Sequence, residues 1–191
     1  MDALEKSPYS ENTIIVLWSD HGWHLGEKLH WRKFSLWEEG TRTVLLFSGK
    51  PIKSNRVCER PVNLLDIYPT LIDLCGLPEN SKLEGRSIEP LLSDPQKAWP
   101  YPSLTTFGQN NHALRSEHWR YIRYSDGTEE LYDHKEDTLE WKNLIDQASS
   151  TEIVKAFQPW LPKTNVPNIP FVEGYAKEVY DLWVDALKDI P

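Results

Sequence analysis

Residues Thr13 to Trp18 form an unbroken β-branched and apolar run, and Ser19-Asp20-His21-Gly22 follows it without a spacer. A run with no polar alternation has no wet face, so it predicts a strand covered on both sides in a parallel sheet. In open α/β sheets the ligand crevice lies beyond the carboxyl ends of the strands, which is where these four residues stand.

An aspartate beside a histidine, followed by a glycine that frees the backbone to turn, can present two ligand groups to one cation. The triplet alone is served equally well by a turn in which Asp20 caps the next segment. Its surroundings favour a site. His24, Lys28, His30, Arg32 and Lys33 crowd the stretch that follows, in a chain with 21 basic and 29 acidic residues and a net charge of -8. A local cationic pocket in an acidic chain suits an anionic ligand.

In order along the chain, Ser19-Asp-His-Gly-Trp-His-Leu-Gly-Glu27, Trp31-Arg-Lys33, Glu38 and Thr41-Arg42 resemble the C-terminal signature of the sulfatase family. The wording is most similar to iduronate-2-sulfatase-like and choline-sulfatase-like enzymes, including a lysine 13 residues after the aspartate, here Lys33 after Asp20. The resemblance implies that Asp20 and His21 are two ligands of an active-site divalent cation, usually calcium, and that Lys33 contacts the sulfate ester. It also implies an α/β fold, the C-terminal part of an alkaline-phosphatase-like sulfatase, with parallel-sheet strands and helices plus a small antiparallel C-terminal subdomain. A sulfate ester must lose negative charge before a nucleophile can approach, and a cation with a lysine polarises its oxygens. A hard cation prefers oxygen donors, which suits Asp20 better than His21, so calcium is inherited from the resemblance alone.

The implied nucleophile is a formylglycine made in a Cys/Ser-x-Pro-x-Arg motif, and no such motif occurs in the 191 residues. The paired aspartates that the family places on its first strand also have no counterpart before residue 12. The expectation is a site about half present, in a chain that begins in mid-domain and lacks activity alone. Such a chain would be poorly soluble or borrow a sheet edge, and a complementing N-terminal sulfatase half is its expected protein partner. The expected reaction is sulfate-ester hydrolysis on a sulfated small molecule or carbohydrate of the iduronate-2-sulfate type. The competing readings are a phosphatase or phosphonate-ester hydrolase on the same scaffold, and a non-catalytic remnant that folds against a partner.

Composition adds exclusions. A hydrophobic content of 39% with nine tryptophans argues against disorder, and no apolar run approaches membrane-spanning length. The acidic balance without a basic stripe argues against nucleic acid. Cys58 and Cys75 fit neither a disulfide framework nor a metal pattern. No basic segment followed by an apolar one opens the chain, so no export signal is visible, although family members are mostly exported.

Downstream, Leu36 to Glu39 reads as a short helix and Thr43 to Phe47 as a second strand of the first sheet. Glu38 and Arg42 have the spacing of an exposed helical pair. Val62 to Cys75 has helical periodicity, with Leu64, Leu65, Ile67, Leu71, Ile72 and Cys75 on one face, Pro69 in the first turn and Gly76 as the left-handed cap. Asp66 has no catalytic role in this reading. Pro90, Pro95, Pro100 and Pro102 mark a boundary near residue 98. Four aromatic, alternating runs, Ser103 to Phe107, Ala113 to Ser116, Trp119 to Tyr124 and Glu130 to Asp133, then predict an antiparallel meander. The resulting division is a catalytic portion over 1–98, a small subdomain over 99–150 and a docking tail over 151–191 with a helix from Glu173 to Lys188. His24 and His30, close to the signature, and His112, in the loop before the meander, are further candidates for substrate binding; His118 and His134 read as surface residues.

Overall fold

The chain enters through one helical turn, α1 (Asp2–Glu5), and the apolar run becomes β1 (Ile15–Trp18). The computed structural model describes residues 1–50 and 52–167. Beyond β1, a small hairpin pairs β2 (His24–Leu25) with β3 (Trp31–Arg32), and one helical turn, α2 (Glu38–Thr41), leads into β4 (Leu45–Ser48). β1 and β4 share a sheet, as expected, but they run antiparallel, with Val16 opposite Phe47. Every strand pairing among the described residues is antiparallel. The pairing of β1 with β4 thus shows the antiparallel return strand, and no parallel pair occurs among the described residues. A parallel neighbour needs a crossover helix, and the segment between β1 and β4 holds only a hairpin and a single turn. The uncovered faces of this ribbon leave Leu17 55%, Trp18 51%, Val44 50% and Leu46 45% exposed.

A 3₁₀ turn over Leu64–Asp66 opens α3 (Ile67–Leu74), followed by Gly76 with a φ of +61°. Asn63 and Asp66 form a capping box at its start, each side chain accepting from the other's backbone. The inward face differs from the periodic one, because Leu65 and Cys75 are exposed while Asp66, Thr70 and Ile72 are buried. Hydrogen bonds explain the swap. Thr70 Oγ1 donates to the Asp66 carbonyl and accepts from the Ile88 N–H, while Asp66 Oδ1 accepts from the Arg86 N–H. These bonds fasten α3 to the strap before α4 (Glu89–Ser93).

The four aromatic runs form β5 (Ser103–Thr106), β6 (His112–Arg115), β7 (Trp119–Arg123) and β8 (Glu129–Asp133), an antiparallel sheet in sequential order. Period-two alternation gives it two apolar faces. Ala113, Ile122 and Tyr132 pack with Leu36 and Trp37 on one side. Leu114, Tyr121 and Leu131 pack on the other with Phe157, Ile153 and Val154 of α5 (Ser150–Phe157). The sheet is thus a central layer, carrying the segment before α2 on one face and α5 on the other. No helix among the described residues is long and apolar enough to cross a membrane. The helix expected over Glu173–Lys188 lies outside the described residues.

Candidate functional site

Where β1 ends, Ser19 Oγ donates to the His21 carbonyl at 3.1 Å and fixes a tight turn around Asp20. Gly22 is required here by close approach rather than by a left-handed turn, because a Cβ would overlap the carbonyl oxygens of Glu39 and Arg42. Its N–H donates to the Gly40 carbonyl of α2 at 3.0 Å. The turn after β1 is therefore seated directly on α2.

The His21 ring is oriented by its Nδ1, 2.7 Å from the Gly22 carbonyl. A carbonyl only accepts, so Nδ1 carries the proton, and the neutral ring turns the Nε2 lone pair outward. That lone pair lies 2.9 Å from Lys33 Nζ and 3.4 Å from Asp20 Oδ2. Two electron-pair donors so placed repel unless a cation sits between or beside them, and at present the Lys33 ammonium supplies the positive charge. An imidazole held by Nδ1–H on a backbone carbonyl, with Nε2 turned toward a carboxylate, is the arrangement a metal-ligating histidine adopts. The donor set fits a divalent cation. Asp20 is open to solvent with its side chain 79% exposed, against 29% for His21.

Asp20, His21 and Lys33 line an open cleft of about 1400 Å³ whose walls also include Arg42, Arg56 and Arg86. Three of the expected site residues are thus brought together. The other three stand elsewhere. His24 is fully buried, its Nε2 bonded to Ser35 Oγ at 2.7 Å. Burial pushes its pKa down, His30 pushes it further, and Glu27 and Glu39 oppose the shift. His30 packs edge-on against His24 at 4.9 Å and against Trp37 at 5.8 Å. His112 is buried within the sheet, with Nδ1 2.9 Å from Thr106 Oγ1 and Nε2 2.6 Å from Asn165 Oδ1. Both ring nitrogens are engaged, which leaves none to read a substrate. The geometry gives these three histidines packing and latching roles.

The same cleft is also lined by a largely buried charge cluster that includes Glu38, Arg115, Arg120 and His134. Glu38 does not pair with Arg42 as its spacing suggests; its carboxylate meets Arg115 of β6 at 3.2 Å and also Arg120, which stands opposite Arg115 on β7. Burial pushes the Glu38 carboxyl up, but Arg120 and Arg115 outweigh it and hold the group below its ordinary range. Glu140, 1% exposed, binds Arg120 and His134, so His134 is an interior residue rather than a surface one. Ligand atoms of Glu38, His134 and Glu140 lie within 4.8 Å of one another, a spacing compatible with a metal ion. Two arginines already neutralise these two carboxylates, so a divalent cation would add uncompensated charge there, and the Asp20–His21 pair is the better cation site. Lys28 completes the contact, donating to the Glu140 carbonyl and lying over the Trp37 and Tyr132 rings at 4.7 and 4.6 Å.

Residues 1–77 match the family model described as Sulfatase. A sulfatase of Formosa agariphila is 42% identical over 165 residues, covering 86% of this chain and 32% of its own. Arylsulfatase K of Homo sapiens is 31% identical over 202 residues, covering 97% of this chain and 37% of that protein. A structure in complex with its substrate D-glucosamine-2-N,6-O-disulfate matches 96% of this chain and 37% of its own, with a TM-score of 0.75 and 25% identity. A 2-O GAG sulfatase matches 98% of this chain and 39% of its own, with a TM-score of 0.66 and 26% identity. The chain spans about a third of the length of these curated relatives. Sequence and fold agree, and the chain belongs to the sulfatase family.

Proposed function

We propose that this chain supplies the cation- and sulfate-binding part of a sulfate-ester hydrolase acting on sulfated carbohydrate. Asp20 and His21 hold the divalent cation, taken here as calcium, and Lys33 binds a sulfate oxygen. The observation that carries this reading is the His21 ring, whose Nδ1 is committed to the Gly22 carbonyl while Nε2 faces Asp20 and Lys33. A bound calcium ion would withdraw charge from the ester oxygens. Asp20 supplies the anionic oxygen such an ion prefers, and His21 closes the site from the strand side. Lys33, on a segment braced by Phe34, keeps its ammonium within reach of an anion lying against His21. The arginines in the cleft walls extend the positive field that draws an anionic sugar. In this reading residues 1–98 carry the site, 99–150 support it, and the described part of the tail packs on the far face of the C-terminal sheet through α5. With no Cys/Ser-x-Pro-x-Arg motif present, hydrolysis requires a chain that carries the nucleophile.

The substrate class is supported by two similar structures, one in complex with a disulfated glucosamine and one of a 2-O GAG sulfatase. The test is a titration of the chain with sulfated glucosamine, followed by NMR with and without calcium. Sugar-induced shifts at His21 and Lys33 that require calcium are expected in the wild type, and those at His21 are expected to vanish in Lys33→Ala. Binding that ignores both calcium and Lys33 would overturn the assignment.

A further inference from the structure

We propose that Glu140 is a positioning residue for the cation site, acting from the C-terminal sheet through α2. The inference rests on Asp20 and His21 being the cation ligands.

Glu140 is a fully charged side-chain type held at 1% exposure, with a φ of +59° that non-glycine residues rarely adopt. Strain and burial at one residue persist only where the surroundings over-determine it, and four partners do so here. Its Oε1 lies 2.8 Å from His134 Nε2. Arg120 Nε sits 2.5 Å from the same oxygen as an ion pair, without the alignment of a hydrogen bond. Its Oε2 accepts from the Glu38 N–H at 2.9 Å, and its carbonyl accepts from Lys28 Nζ. One residue thereby ties β7 and the end of β8 to both the β2–β3 hairpin and the first residue of α2.

The link to α2 reaches the site in three steps. A carboxylate on the first N–H of a helical turn satisfies a donor that the turn itself cannot. Two residues on, the Gly40 carbonyl receives the Gly22 N–H at 3.0 Å, and the Gly22 carbonyl in turn fixes His21 Nδ1 at 2.7 Å. The absence of space at Gly22 means that a displaced α2 must displace this peptide too. Glu140 therefore sets where His21 Nε2 points without touching the cation.

Calcium titration of the whole chain, read both by calorimetry and by the imidazole nitrogen shifts of His21, tests this in Glu140→Gln and in Tyr121→Phe. The second variant removes the Tyr121 hydroxyl's bond to Glu129, in the same sheet but with no route to α2. Glu140→Gln is expected to weaken calcium binding by about tenfold and to move the His21 shifts before any calcium is added, as loss of an outer-shell partner does. Tyr121→Phe is expected to leave both unchanged. Equal effects in the two variants, or unmoved His21 shifts in Glu140→Gln, would overturn the proposal. So would calcium binding that Glu140→Gln abolishes while Asp20→Ala spares, which would place the ion on Glu38, His134 and Glu140. Should the wild-type chain bind no calcium, the cation reading fails alone, and the His21 shifts still decide the role of Glu140. Glu140→Asp, which keeps the buried charge but withdraws the carboxylate from Glu38, is read by the same two criteria if Glu140→Gln does not fold.

Discussion

Lys33 Nζ lies 2.9 Å from His21 Nε2, occupying with its own charge the lone pair assigned to a metal ion. A lysine in that place competes with the cation when no anion is bound and turns to the anion when one is. Lys33→Met should therefore tighten calcium binding by the chain by about tenfold, the worth of a hydrogen bond to a charged group, while weakening sulfated-sugar binding. Calorimetry of the two ligands separates these effects, and weaker calcium binding in Lys33→Met would refute the competition.

Gly22→Ala forces a Cβ against the carbonyls of Glu39 and Arg42. The expected loss is about 1–3 kcal/mol of stability, the range for overpacking, together with altered His21 shifts. Gly127→Ala is the contrast, since a Cβ there meets nothing within 4 Å and only its φ of +87° is unfavourable. It should cost about 1 kcal/mol and leave His21 alone. Urea unfolding with NMR of the same samples checks both.

Glu38 makes stability depend on acid. Its folded carboxyl lies below the ordinary 4.5, so the contribution is complete above that pH and is lost as pH falls from there through the folded value. Glu38→Gln leaves Arg115 and Arg120 short of a buried partner and should cost about 3–5 kcal/mol near neutrality. The variant should also lose stability less steeply than wild type below pH 4.5. Parallel acid unfolding curves for the two proteins would contradict this.

His24 acts in the same sense at higher pH. Burial, then His30, holds it below its ordinary 6.5, so protonation of the unfolded chain favours unfolding as pH drops from 6.5 toward the folded value. His24→Gln, which keeps a polar partner for Ser35, should flatten the melting temperature over that interval. An unchanged pH slope would show that His24 is not the group responsible.

The proximity of Asp20, His21 and Lys33 was legible in the sequence because Asp20 and His21 are neighbours and Lys33 follows on one short hairpin. The meander was legible for a similar reason, since period-two alternation in β5 to β8 is a local signal. Strand direction was not: the apolar run of β1 reports a need for cover, and only the return path through α2 makes β4 antiparallel. The charge cluster was hidden by distance along the chain. Glu38 and Glu140 meet across 102 positions, and nothing local distinguishes Glu140 from an exposed glutamate. His24 and His30 were drawn in by proximity to the signature and His112 by its place before the meander, and sequence position gives no sign that His24 and His112 are buried.

The central claim is tested most directly by calorimetric titration of calcium into the chain, into Asp20→Ala and into His134→Gln. Saturable binding with a Kd of about 10⁻⁴–10⁻³ M is predicted for a site with few protein ligands, lost in Asp20→Ala and kept in His134→Gln. No saturable binding by the wild-type chain, or binding that survives Asp20→Ala, would contradict the account.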